Sequence, residues 1–393
     1  VIRKKFIVYL LIVISFLDMF SQLPVISPLA HSLGADPLMI GLAVGAYSLT
    51  NMAGNVLAGR WIDRYGAEKV LVFGMASTAA LLAMYGLVRT PEQLIAARFA
   101  HGLAGGLLVP SAFTLVSRLA ESGRQGKNMA VSGAAVGFAA IVGPALGGIL
   151  KAKAGAHAVF LTVAGLMALG ALTAWLVLLR KPEKGKPGTE SQPLTTQGWV
   201  HLFSSMPVLL SYLGAFTLMF AMGVLTYMLP LKADALAFRE QAAGMLLSTF
   251  GVVAIGMFLL PTNRIFDRVS SLYIMPAGMV TIAAALLGLS MVDREGALFA
   301  LMAVYGIGFA LMFPSMNALL IRHVHEGDRG KAFGLFYAFY SIGVVAGSFT
   351  VGAAAVSPDE GFRMAGILLA CIALVLYATV QTAAKRALPP SGE

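Results

Sequence analysis

Asn55-Val-Leu-Ala-Gly59-Arg60-Trp61-Ile62-Asp63-Arg64-Tyr65-Gly66 and Leu259-Leu-Pro-Thr-Asn263-Arg264-Ile265-Phe266-Asp267-Arg268-Val269-Ser270 are two versions of one segment. Their Asp-Arg pairs are separated by 267 minus 63, or 204 positions, and the same offset carries Gly126-Lys127 onto Gly330-Lys331 and Pro110-Ser111 onto Pro314-Ser315. Arg118 and Arg322, downstream of the last two windows, keep it as well. The chain of 393 residues is therefore a tandem duplication, and each copy is expected to build the same arrangement of elements.

Hydrophobic residues make up 58% of the chain and charged ones 12%, with a mean hydropathy of +0.83. Polar residues gather between apolar runs of roughly 20 residues, the length a helix needs to cross a bilayer. Twelve spans are expected, over 6–30, 38–60, 69–88, 93–118, 128–150, 157–179, 206–230, 241–261, 271–291, 297–321, 330–354 and 362–384. Continuous apolar runs, rather than residue-by-residue alternation, exclude a β-barrel, which leaves helices. The expected fold is an all-α membrane protein of about twelve transmembrane helices in two pseudo-symmetric six-helix bundles, residues 1–180 and 206–393. Between them, residues 181–205 carry Lys181, Lys184 and Lys186 with Pro182, Pro187, Gly188 and Pro193. That composition is too polar and too broken to pack, and reads as a cytoplasmic linker.

Basic residues orient the chain. With the N-terminus in the cytoplasm, 20 of the 28 Lys and Arg residues fall on that side, from Arg3, Lys4 and Lys5 to Lys385 and Arg386. Both termini are therefore expected there, in a bacterial cytoplasmic membrane. The net charge of +10 reflects this bias and attraction to anionic membrane lipids, and calls for no nucleic acid. The single Cys371 excludes an internal disulfide and says nothing of the redox compartment. The first apolar run continues past the core length of a cleavable signal, so no signal peptide is expected. There is no phosphate-binding loop and no Cys/His spacing suited to a metal, so no cofactor is expected; His323 and His325 read as interfacial residues.

Gly59-Arg60-Trp61-Ile62-Asp63-Arg64-Tyr65-Gly66, placed between the second and third spans, resembles the G-x-x-x-D-R-x-G loop motif of the major facilitator superfamily. The resemblance extends over nearly the whole chain, through span count, central linker and repeat; the basic pair usual after the last glycine is Ala67-Glu68 here. It implies a secondary transporter built from parallel repeats. It also implies a conformational latch made by Gly59, Asp63, Arg64 and Gly66, with Asp267 and Arg268 in the second copy. Asp63, taken to lie just beyond a helix end, would accept hydrogen bonds from a neighbouring helix N-terminus or pair with an arginine, while the glycines permit a tight turn. Ordinary interfacial charges are the alternative.

In the fifth span, Gly143-Pro144 followed by Gly147-Gly148 is similar to a family element associated with proton antiporters, with Ala139 where its first glycine stands. Small residues let helices approach and the proline bends one of them. The corresponding positions of the second copy are Gly347 and Ser348. The fourth span opens Arg98-Phe-Ala-His101-Gly102, resembling the element in which an arginine before a glycine-rich helix is tied to proton transfer.

Asp18 is the one acidic residue placed deep inside a span. Gln22 lies one turn further on the same face, and Arg98 and His101, three apart, share a face of the fourth span. An arginine in a span costs roughly 2.5–3.5 kcal/mol on insertion scales and so faces a partner or a cavity. Asp18, Arg98 and His101 are therefore the candidate proton-coupling site, since desolvation favours a neutral carboxyl, a nearby arginine favours the charged form, and opening to water alternately changes the balance. A fixed structural ion pair is the alternative, and for His101 a packed or hydrogen-bonded histidine. Adding 204 to these positions gives Met222, Met302 and Tyr305, so the second copy carries no charge there.

Phe216, Phe220 and Tyr227 in the seventh span, Asn317 in the tenth, and Tyr337 and Tyr340 in the eleventh, with Met19 and Gln22, are the candidate lining of an adaptable apolar substrate cavity. Packing is the alternative for each. The sequence thus points to a monomeric, proton-driven exporter of a small organic or drug-like amphipathic compound working by alternating access. The alternatives are an exporter of an endogenous metabolite such as a sugar, lipid, amino-acid derivative or metal-chelating compound, and a non-transporting membrane sensor. An enzyme is not expected, because no nucleophile with an oriented base is present.

Overall fold

The computed structural model describes residues 2–118, 125–179, 202–259, 268–325 and 328–387. The expected linker over 181–205 falls almost wholly outside these residues, as does Asp267. The first copy folds as α1 (Ile2–Ser21), α2 (Ile26–Ser32), α3 (Pro37–Tyr65), α4 (Ala67–Met84), α5 (Pro91–Gly105), α6 (Leu108–Arg118), α7 (Gln125–Ala154) and α8 (Ala156–Ala174). The second folds as α9 (Met206–Ala235), α10 (Ala242–Leu259), α11 (Ser271–Leu289), α12 (Glu295–His323), α13 (Arg329–Ala353) and α14 (Pro358–Ala387). Among the described residues there is no strand, nine helices are long and apolar enough to cross a membrane, and the bent pair of α1 and α2 makes a tenth. The 29-residue α3 and the 18-residue α10 occupy the two remaining expected positions.

Local chemistry sets the boundaries. Asp36 caps α3 by accepting the Met39 N–H at 2.7 Å, with Pro37 in the first turn, and Thr90-Pro91 starts α5 in the same way. One expected single span is bent. The run over 6–30 bends by 42° between Ser21 and Ile26, where Pro24 offers no backbone donor and the Gln22 carbonyl takes the N–H groups of Val25 and Ile26. The run over 93–118 has a local irregularity at Gly106–Leu107 between α5 and α6, but Pro91–Arg118 remains a single span, one of the nine.

The loop motif also differs from its expected placement. Asp63 and Arg64 belong to the last turn of α3, and the chain turns only at Gly66, whose φ of +89° suits glycine. Gly59 is an exposed helical residue with open space around it, so Gly66 alone supplies the turn.

The chain divides into two compact units. Unit 1 comprises residues 1–192, 226–248 and 348–355, and unit 2 residues 193–225, 249–347 and 356–393. Unit 1 holds α1 to α8 together with the last turns of α9, the start of α10 and the end of α13. These pieces dock through backbone carbonyls: Ser27 Oγ donates to the Thr226 carbonyl at 3.1 Å, and Tyr227 Oη to that of Pro37 at 2.7 Å. Lys151 and Asp234 form an ion pair at 3.7 Å. In unit 2, Ser211 Oγ donates to the Met316 carbonyl at 2.7 Å, tying α9 to α12.

Candidate functional site

One turn of spacing puts Asp18, in the last turn of α1, beside Gln22, the first residue of the bend. Glycines bring α5 against α3: a Cβ on Gly102 would meet the Tyr47 carbonyl and Thr50, and one on Gly106 would meet Gly54. This close crossing sets Arg98 beside Ala43 and Tyr47. The result is a polar cluster inside unit 1 in which Asp18 and His101 are fully buried and Gln22 and Arg98 nearly so.

Gln22 Nε2 donates to Asp18 Oδ1 at 2.6 Å, and Arg98 donates to Gln22 Oε1 at 2.8 Å and to the Ala43 carbonyl at 3.1 Å. The guanidinium lies over the Tyr47 ring, 4.7 Å from its centroid. On the other side of the carboxylate, His101 Nε2 is 3.0 Å from Asp18 Oδ2, and the Tyr85 hydroxyl is 3.2 Å from His101 Nδ1. Tyr85, in the turn after α4, stacks on Phe160 of α8 at 4.2 Å. Asp18, Arg98 and His101 are thus brought together, with one rearrangement: the direct partners of Asp18 are His101 and Gln22, and Arg98 reaches it through the Gln22 amide. Arginine only donates and an ionised carboxylate only accepts, so the amide between them has a single satisfied orientation.

The Gly143-Pro144-Gly147-Gly148 element lies on α7. A Cβ on Gly143 would press on Phe20 and one on Gly147 would overlap the Ser21 carbonyl, so α7 is clamped against the last turn of α1 beside the bend. Gly148 packs against Gly244 of α10, and Ser248 Oγ donates to the Ile141 carbonyl at 2.7 Å, three residues before Pro144. Gly147→Val is therefore expected to cost about 1–3 kcal/mol through overpacking against backbone that cannot yield, whereas Gly59→Val, in open space, is expected to be near neutral. Thermal unfolding of the purified chain in detergent checks this, and equal midpoints for the two variants would refute the clamp.

The other candidates are scattered. Met19 is half-buried on α1. Phe216 and Phe220 pack in unit 2 with ring centroids 6.1 Å apart, their carbonyls against Gly343 and Gly347 of α13. Tyr227 is buried in unit 1 with its hydroxyl bonded to Pro37. The Asn317 amide donates to its own helix at Phe313, 2.7 Å away. Tyr337 is exposed and Tyr340 half-buried, with centroids 6.1 Å apart. Asp63, Arg64 and Arg268 are exposed. Glu68, standing where the motif usually has a base, lies 3.7 Å from Arg118.

Sequence reasoning missed Tyr47 and Tyr85. No spacing rule links them to Asp18; the available signal was that a tyrosine hydroxyl inside an apolar bundle needs a polar partner.

The profile of the Major Facilitator Superfamily matches residues 8–292 and 211–393. Multidrug resistance protein 1 of Bacillus subtilis is 23% identical over 343 residues, covering 86% of each chain. Quinolone resistance protein NorA of Staphylococcus aureus is 23% identical over 382 residues, 94% of this chain and 96% of its own. Among solved structures, a bacterial homolog of the human lysosomal transporter Spinster, inward-facing and unoccupied, superposes with a TM-score of 0.78 at 14% identity over 98% of both chains, a likeness of fold.

Proposed function

Because the chain belongs to the Major Facilitator Superfamily of membrane transporters, we propose that it exports a small, drug-like amphipathic compound in exchange for protons by alternating access. The observation that carries the proton-coupled reading is Asp18, a fully buried carboxylate held by an amide and an imidazole beside a bend in its own helix. A fixed ion pair needs neither the imidazole nor the bend. The substrate class rests on the names of the relatives in Bacillus subtilis and Staphylococcus aureus. In this reading the two copies of the repeat, 1–180 and 206–393, work as bundles of a monomer in a bacterial cytoplasmic membrane. Both termini and the 181–205 linker are cytoplasmic, and the proton gradient is the energy source.

Purified protein in liposomes with an imposed pH difference tests it, with a fluoroquinolone and ethidium as probes and protein-free liposomes correcting for passive trapping. Antiport drives the probe into the more acidic compartment. Accumulation on the alkaline side, or accumulation that survives collapse of the gradient, would refute exchange for protons.

Asp63 fits the latch role because a negative charge in the last turn of a helix opposes the helix dipole, so the fold gains when that charge finds a neighbouring helix N-terminus or cation. Relieving or losing such a contact is worth about 1 kcal/mol, and hence roughly a five-fold change in the ratio of two transporter states. Asp63→Asn is expected to shift the distance distribution between spin labels on the two copies; unchanged distributions across pH would remove Asp63 from the mechanism.

A further inference from the structure

Resting on the proton-coupled reading above, we propose that the coupling proton is taken up by the Asp18–His101 couple rather than by Asp18 alone, and that Tyr85 is the positioning residue whose hydroxyl turns from donor to acceptor as the proton arrives.

Hydrogen-bond polarity decides where the proton can sit. Arg98 donates to Gln22 Oε1, so the Gln22 NH2 must face Asp18 Oδ1. A proton on Oδ1 would confront that NH2, and turning the amide would set the NH2 against the guanidinium instead. Arg98 thereby closes one side of the carboxylate, and the open oxygen is Oδ2, which faces His101 Nε2 at 3.0 Å. With Asp18 ionised, Nε2 carries the hydrogen and donates to Oδ2, leaving Nδ1 as an acceptor for the Tyr85 hydroxyl.

Adding one proton leaves two arrangements. Either the imidazole holds both hydrogens beside a carboxylate, or Asp18 Oδ2 carries the hydrogen and donates to Nε2 while Nδ1 becomes protonated. Nδ1 bears a hydrogen in both. Tyr85 must then accept from Nδ1, and its own hydrogen must leave that line. The charged and titratable groups facing the couple are Arg98 on α5, Tyr47 on α3, which meets the His101 ring edge-on at 5.0 Å, and Tyr85 itself, with Phe160 of α8 behind it.

The proton balance also fixes the sign of the coupling. Before uptake, Asp18 and Arg98 cancel, and a dry, closed cluster is tolerable; after uptake a net charge of +1 is buried, which favours hydration or rearrangement. The bend at Ser21–Ile26 adjoins Gln22, so the element able to rearrange touches the cluster.

The test uses the full chain in nanodiscs with 15N-labelled histidine, the His101 signals being assigned by their absence from His101→Gln. The expected result is an unprotonated Nδ1 and protonated Nε2 at high pH, and a hydrogen appearing on Nδ1 over the range in which transport responds to pH. Tyr85→Phe keeps the stacking on Phe160 but removes the acceptor, so where the imidazole holds both hydrogens the Nδ1 transition and the pH midpoint of transport are expected to move to lower pH by about one unit, because a hydrogen bond to a charged donor outweighs the neutral one it replaces. An Nδ1 that stays unprotonated throughout that range overturns the proposal. Wild-type transport indifferent to pH would instead sink the underlying antiport reading, and the histidine signals report on the couple without any transport assay.

Discussion

Asp18→Asn is expected to abolish accumulation against a gradient while leaving a folded protein that still exchanges compound downhill. The carboxylate accepts from Gln22 on one oxygen and faces His101 with the other. Asparagine keeps an acceptor for Gln22 but presents an NH2 to Nε2, which obliges the imidazole to carry its hydrogen on Nδ1 and Tyr85 to accept it. The substitution therefore copies the loaded arrangement and holds the cluster at a net +1 at every pH. A site that never releases its proton cannot couple, and for one-for-one exchange a difference of one pH unit normally sustains about a ten-fold concentration ratio. In proteoliposomes that ratio should fall to about 1 in Asp18→Asn, with counterflow of preloaded compound retained. Undiminished accumulation would show that Asp18 does not carry the proton.

Much of this was legible in the sequence, and the limits have physical causes. The duplication and the apolar runs pointed to twelve helices because span length and the need to satisfy backbone groups in lipid leave few alternatives. Asp18 with Gln22, and Arg98 with His101, were readable as shared faces because three- and four-residue spacings are properties of one helix. Which helices then meet is a property of packing. The Gly102 and Gly106 contacts that carry α5 onto α3 decide that Gln22 stands between Arg98 and Asp18, and no spacing within either span reveals this. Tyr47 and Tyr85 stayed hidden for the same reason. The bend before Ile26 had a visible sign in Pro24, but a proline near a run's end is compatible with a continuous span. Asp63 lies outside the expected span because its charge marks a membrane boundary, whereas α3 keeps its hydrogen bonds to Tyr65 and turns only where Gly66 allows it. The assignment of 226–248 and 348–355 to unit 1 depends on docking through the carbonyls of Pro37 and Thr226, and hydropathy carries no record of such contacts.

Arg98→Met transplants the residue found 204 positions later into the first copy, and is expected to destabilise the protein and move the pH profile of transport to higher pH. It removes the donors to Gln22 and Ala43, the cation over Tyr47 and the hydrogen bond to Tyr85, leaving a buried carboxylate without its counter-charge, a loss of about 3–5 kcal/mol when one partner of a buried pair is deleted. Binding a proton cancels the orphaned charge, so the couple holds its proton to higher pH; since one pH unit corresponds to about 1.36 kcal/mol, a displacement of a unit or more is expected. Met302→Leu is the matching control. Met302 is fully buried, and a volume-conserving swap there costs less than about 1.5 kcal/mol with no charged side chain at the repeat-related positions Met222 and Tyr305, so its pH profile should stay in place. A shift as large as in Arg98→Met would show that the charged site is not confined to the first copy. The double variant with Tyr85→Phe measures how Arg98 and Tyr85, which are in direct contact, are coupled. Once Arg98 is gone, the Gln22 amide is free to turn and Asp18 Oδ1 becomes an alternative seat for the proton, so Tyr85→Phe should shift the profile less in the Arg98→Met background than in wild type. Equal shifts in the two backgrounds would mean that Arg98 acts through its charge alone and does not direct the proton to the His101 side.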